Sequence, residues 1–336
     1  VYRDREVTPA WRPNGSVDVQ YRWYGEAENK STNEDKDGDW ANGDDTNDSR
    51  IQTRVNLNFT EKQNLDIRVR TFQELKGDYK TNSETSDGEY RIRHHYKFGK
   101  LGNSKVDATS RLEYRQWGGK QRIQASVGFD FADYIYSNNF FKAETLTLRP
   151  LVSHKWEKHD NDKTMNDFRL DLETRFALPL NFAVEFNAYS GYAQYPDKGL
   201  KKYNADGTKN EYRGEFHTDV ELYLQNHTPL YKTNNFELAF DFDSGYDTLS
   251  FHTRKVVKNG DLWSGDPNGK IEVTSDRHSY QVFMLPTLQV SYKPTDFVKL
   301  YAAAGAEYRN WAITSGSEAK NWRWQPTAWA GMKVTF

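Results

Sequence analysis

Cysteine is absent from the 336 residues. That removes thiol nucleophiles, disulfides and thiolate metal ligands. The eight histidines are His94, His95, His154, His159, His217, His227, His252 and His278. On a strand, adjacent His94 and His95 point to opposite faces and cannot share one ion. His154 and His159 lie close in sequence, with no third ligand beside them. Neither a metal site nor a cofactor is expected. The acidic run Asn33-Glu34-Asp35-Lys36-Asp37-Gly38-Asp39, followed by Asp44, sets oxygens at alternating positions around a glycine, as a calcium loop does. It opens on Asn33 and closes on Asp44 where such loops use Asp and Glu, and no helical pattern flanks it. A solvated acidic loop is the favoured reading. Asp241 and Asp243 pair carboxylates of the type used in glycoside hydrolysis. They share one strand face with further acids, which fits a charged wall better. No nucleophile elbow or local Ser–His constellation is present. The chain is read as not an enzyme, with a barrel-embedded hydrolase as the remaining enzymatic class.

These charged residues fall into a pattern of period two. Val17, Val19, Tyr21 and Trp23 alternate with Asp18, Gln20 and Arg22; Phe168, Leu170 and Leu172 alternate with Arg169, Asp171 and Glu173. Alternation gives each segment one apolar and one polar face, as on a β-strand. About fourteen such segments recur, near 15–27, 49–60, 65–75, 90–98, 105–117, 121–132, 140–156, 167–178, 182–195, 211–225, 235–251, 278–292, 297–310 and 321–336. Their lengths suit tilted strands crossing a bilayer. Short links (60–64, 99–104, 178–181, 293–296) alternate with long polar ones (29–48, 76–89, 157–166, 196–210, 252–277). Gly118-Gly119 is tight where a long loop is due.

The pattern predicts an all-β fold: a transmembrane, antiparallel, up-and-down β-barrel of 14 strands. Sixteen is the alternative, with 251–280 the place for an extra hairpin. Short turns face the periplasm and long loops face outward. Residues 1–13 form a periplasmic N-terminal extension and 14–336 the barrel. A soluble sandwich shares the alternation; aromatics near strand ends, such as Trp23-Tyr24, Phe140-Phe141, Trp322 and Trp324, favour membrane interfaces. No run of 18 apolar residues offers a transmembrane helix. The strongly negative mean hydropathy suits a barrel, where lipid meets only every second strand residue. The net charge of −2 gives no bulk electrostatic case for nucleic acid.

The polar faces differ by strand. Arg50, Arg54, Arg68, Arg70, Arg91, Arg93, Arg111 and Arg115 lie on strands two to five, with Lys97, Lys105 and the few acids Asp66, Asp107 and Glu113. Asp171, Glu173, Glu185, Glu215, Asp219, Glu221, Glu237, Asp241 and Asp243 lie on strands eight to eleven. In a ring of fourteen these become a basic and an acidic wall facing each other. The resulting transverse field favours polar solutes with weak net ion selectivity. Ordinary solvated faces and pairwise cross-strand salt bridges are the plainer alternative. With a tight third outer link, either another loop narrows the pore, with 29–48 and 252–277 the best candidates, or side chains alone shape it.

The last residues, Trp329-Ala330-Gly331-Met332-Lys333-Val334-Thr335-Phe336, resemble the C-terminal assembly signal of bacterial outer-membrane barrels, carried by Met332, Val334 and Phe336. The stretches Trp11-Arg12-Pro13-Asn14-Gly15, Phe131-Ala132-Asp133-Tyr134-Ile135-Tyr136 and Lys293-Pro294-Thr295-Asp296-Phe297 resemble the fusobacterial major outer-membrane porin family, FomA. The resemblance runs along the chain and is weakest in the long loops. It implies a homotrimeric, voltage-sensitive general diffusion porin in a Gram-negative outer membrane, also an adhesin. It also implies a signal peptide and a proline-rich segment ahead of Val1. The expected partners are the lipid bilayer, lipopolysaccharide, the outer-membrane assembly machinery and small hydrophilic solutes. The functional alternative is a surface adhesin or receptor barrel acting through its long loops. An outward stripe of Ala302, Ala304 and Ala306 is compatible with subunit packing or with lipid.

Overall fold

The computed structural model describes residues 11–25, 48–74, 88–157, 160–196, 200–203, 209–252, 256–258, 272–274, 279–310 and 322–336. The acidic run 33–44, most of the loop candidates 29–48 and 252–277, and residues 1–10 of the N-terminal extension lie outside them.

Fourteen strands close into one antiparallel barrel. They are β1 (Asn14–Tyr24), β2 (Asp48–Asn58), β3 (Gln63–Glu74), β4 (Glu89–Lys100), β5 (Asp107–Trp117), β6 (Lys120–Asp130) and β7 (Lys142–Glu157). The second half holds β8 (Asp160–Ala177), β9 (Phe182–Gln194), β10 (Gly214–Lys232), β11 (Phe236–His252), β12 (Ser279–Thr295), β13 (Val298–Asn310) and β14 (Trp322–Thr335). Each pairs with its sequence neighbours, and β14 pairs with β1 from Ser16–Thr335 to Tyr24–Thr327. Gly15 and Phe336 exchange both backbone hydrogen bonds, at 2.9 and 3.0 Å, so the chain ends seal the ring. The sixteen-strand alternative is excluded. The stretch 251–280 does hold a short ribbon, Val256–Lys258 with Glu272–Thr274, but it stands apart from the barrel wall.

The strand edges differ from the sequence reading at one outer link. Residues 157–166 were expected as a long loop; instead β7 and β8 continue outward until Glu157 pairs with Asp160. The Gly118-Gly119 link is the tight turn its residues require. Both glycines have positive φ, 46° and 74°, as a two-residue hairpin demands.

On the side of the chain ends, Lys100 links the turns by pairing with Asp107 at 2.5 Å and with Asp133. The hydrogen bond from Lys100 holds the Asp133 carboxyl below its ordinary range.

The registers break beside Tyr246 in the β11–β12 pair and beside Val220 in the β10–β11 pair. Gly245 immediately precedes both breaks, paired in register with Tyr223 and Phe283; it has φ +152°, and a Cβ there would lie 1.9 Å from the Leu222 carbonyl oxygen. Gly245→Ala should therefore destabilise the folded barrel by about 1–3 kcal/mol. The temperature at which the folded form loses its fast mobility on a detergent gel reads this directly. An unchanged temperature contradicts the assignment of strain to this site.

Candidate functional site

The two faces of the wall are sorted opposite to those of a soluble protein. Leu112 is 55% exposed beside Glu113 at 2%, and Leu170 is 51% exposed beside Asp171 at 1%. Val19, Ile51, Ile92, Ile123 and Val152 are also exposed on the outer face. An apolar exterior around a charged interior is the arrangement of a barrel that meets lipid outside and water within. The fold is thus a transmembrane β-barrel, and its charged surface is the lumen.

Alternation aims the arginines of β2 to β6 inward, where they share acids. Arg54 and Arg91 reach the two oxygens of Asp66 at 3.2 and 2.8 Å. Glu89 receives Arg68, Arg70 at 3.6 Å and Arg115 at 3.3 Å. Glu113, whose side chain is fully covered, holds Arg93 at 2.5 Å and Arg122 at 2.7 Å. Arg50 stands 5.9 Å from the Tyr24 ring. These bonds cross between neighbouring strands, so the strand pairing itself sets each guanidinium's place.

The acids of β8 to β10 are less uniform than their types suggested. Glu173 is taken by Arg149 of β7, at 3.1 Å, and by Arg111 of β5, at 3.4 Å. It is the junction between the two charged sectors. Asp171 accepts Arg169 at 2.9 Å, and Glu185 accepts Arg175. Glu221 accepts the Tyr189 hydroxyl at 2.9 Å, and Glu215 accepts Tyr195 at 2.7 Å. His217 lies between Asp167, at 2.8 Å, and Asp219, at 3.8 Å. Towards the turns, His227 bridges Asp241 at 2.5 Å and Glu237 at 3.3 Å. Asp243 pairs in register with Gln225 and Leu285. In the ring order, β10 stands seven strands from β3 in either direction.

At the closing strand, Met332 and Phe336 are exposed on the outer face, and Val334 pairs with Val17 and Val298. Lys105 and Asp107 belong to the turn-side rim rather than the mid-wall: Lys105 lies before β5 begins and stacks its ammonium on Tyr134.

Sequence reasoning left out Glu89, Arg122, Gln124 and Arg149. The last three stand on β6 and β7 at inward positions of the same alternation, which was the available signal. The alternation marks Tyr90 as the first residue of its strand and so leaves Glu89 in the loop before it.

The lumen face holds an open cavity of about 610 Å³ lined by side chains from β4 to β10. Among the described residues no group of three or more His, Asp or Glu is arranged to hold a metal ion.

No family model and no curated protein matches the chain. Among solved structures, the outer membrane channel DcaP of Acinetobacter baumannii aligns over 97% of this chain and 96% of its own, at 11% identity and a TM-score of 0.39. Omp33 of the same organism aligns over 96% and 98%, at 10% identity and a TM-score of 0.34. OmpT, an outer-membrane protein of Vibrio cholerae, aligns over 96% and 97%, at 8% identity and a TM-score of 0.37.

Removing the shared acid tests the network. Glu113→Gln leaves Arg93 and Arg122 without their buried counter-charge, a change of about 3–5 kcal/mol for a buried pair. The variant barrel should unfold at lower denaturant concentration than the wild type. Equal midpoints show that Glu113 does not hold the wall.

Proposed function

We propose that the protein is a general diffusion porin: a water-filled channel through which ions and small hydrophilic solutes pass passively. The observation that carries this reading is the inversion of the wall, with apolar side chains outside and buried, mutually paired charges around an interior cavity. A membrane channel needs both, because lipid excludes charge and water-filled lumens accept it. The reading sets the barrel in a Gram-negative outer membrane, with the chain ends and short turns in the periplasm and residues 1–13 as a periplasmic extension. The resemblance to fusobacterial FomA porins extends it to a voltage-sensitive homotrimer.

In this proposal, Arg50, Arg54, Arg68, Arg70, Arg91, Arg93, Arg111 and Arg115 form a basic wall. Asp171, Glu173, Glu185, Glu215, Asp219, Glu221, Glu237, Asp241 and Asp243 form the acidic wall. Sharing of acids on the basic side supports a net positive sector there, since Glu89 answers three arginines and Glu113 two. Charge on a pore wall sets ion preference. Two walls of opposite sign make that preference weak.

Purified protein in a planar bilayer should show stepwise ionic conductance; a sealed bilayer refutes the porin reading. Replacing Arg68, Arg70, Arg91 and Arg93 by Gln should move the reversal potential in a salt gradient toward cations. The shift is reinforced because Glu89 and Asp66 then face the lumen without those partners. An unchanged reversal potential refutes the two-wall arrangement.

A further inference from the structure

The cavity is bipolar in a specific way. Its β4–β6 side presents Arg93, Arg111, Arg115 and Arg122, with no carboxylate among the lining groups. Its β8–β10 side presents five carboxylates and only two arginines, both already held by acids: Arg169 by Asp171 and Asp167 of its own strand, Arg175 by Glu185 and by Glu144 of the adjoining β7. The whole lining carries six arginines and five acids, so the cavity is close to neutral while its halves are oppositely charged.

The basic half also holds donors unused by the protein. Gln124 is only 4% exposed, lines the cavity, and its amide nitrogen has no partner. The Nε atoms of Arg115 and Arg122 are likewise buried without an acceptor. Arg115 and Arg122 are directly paired across β5 and β6, and Gln124 faces Glu113 in the same ladder. Buried donors without acceptors are costly, and these three belong to neighbouring positions of one ladder that lines the cavity. Glu113 fixes the Arg122 head through its other nitrogen at 2.7 Å, so the donors are held before any solute arrives.

A net anion is opposed by the acidic half and a net cation by the basic half. The solute that satisfies both carries separated charges of each sign. We infer that this cavity binds zwitterionic solutes, a free amino acid or dipeptide. Its carboxylate meets Arg115, Arg122 and Gln124, and its ammonium meets Asp219 and Glu221. The cavity volume is within the range of small-ligand sites. The inference deepens the porin reading and rests on it.

The test is a current titration in a planar bilayer with two solutes of similar size and zero net charge. Glycylglycine carries both charges; N-acetylglycinamide carries neither. Glycylglycine should reduce the single-channel current saturably, while N-acetylglycinamide leaves it unchanged at equal concentration. A charge-assisted hydrogen bond contributes enough for roughly a tenfold change in affinity. The paired variants Arg115→Gln with Arg122→Gln, and Asp219→Asn with Glu221→Gln, should each raise the half-blocking concentration about tenfold or more. Gln124→Met, which changes no charge, should raise it about threefold and serves if a paired variant does not fold. Equal effects of the two solutes on the wild-type current overturn the inference, as does a block that survives both kinds of charge removal. A barrel with no current in salt alone fails earlier, at the porin reading, so the two failures are told apart.

Discussion

An unpaired peptide group inside a bilayer costs several kcal/mol, and a sheet in lipid escapes that cost only by having no edge. Every other feature of this molecule follows from closure. Fourteen strands pair with their sequence neighbours, and the pairing of Gly15 with Phe336 joins segments more than three hundred residues apart in sequence. Closure then dictates the two-residue alternation, because each position on a closed wall faces either lipid or lumen. Leu112 beside Glu113, Leu170 beside Asp171 and Phe216 beside Glu215 show that rule plainly.

Closure also creates an electrostatic problem. Charges turned inward on neighbouring strands stand only a strand spacing apart, and arginines on β2 to β6 would repel one another. The wall answers by sharing. One carboxylate serves Arg54 and Arg91, another serves Arg68, Arg70 and Arg115, and a third serves Arg93 and Arg122. Arginine suits this because its planar fork can serve a carboxylate on one side and keep further nitrogens for another partner. The bonds run across strands, so they brace the barrel wall and hold the side chains back against it.

The fold was legible because its main signal is local. Alternation is visible in any six residues, and positive-φ turns declare themselves as Gly118-Gly119. The site was legible only as far as alternation reaches. Inward direction and sign of charge could be read for Arg68, Arg93, Glu185 or Asp219, but partnership could not, since it depends on register between strands. Glu89 shows the cost: placed in a loop by one residue, it left three arginines without their acid. Glu173 shows the same from the other side. By type it belonged with its acidic neighbours on β8, while the register hands it to Arg149 and Arg111. The link 157–166 was misread because its polar residues continue a hairpin above the wall, where neither face is apolar.

Register also decides what the lumen charge means. The formal charge of the chain, −2, says little about the field a solute meets, and so does the near balance of six arginines and five acids around the cavity. A field depends on where charges stand relative to one another. Cross-strand sharing neutralises charge along the wall, between neighbours, and leaves a surplus of one sign in each sector. On β2 to β6 several arginines share each acid, while β8 to β10 supply more acids to the cavity than arginines. In the proposed two-wall arrangement, polarity across the lumen is the remainder of pairing within its walls. A substitution that removes one shared acid alters the bracing of the wall and the field across it together.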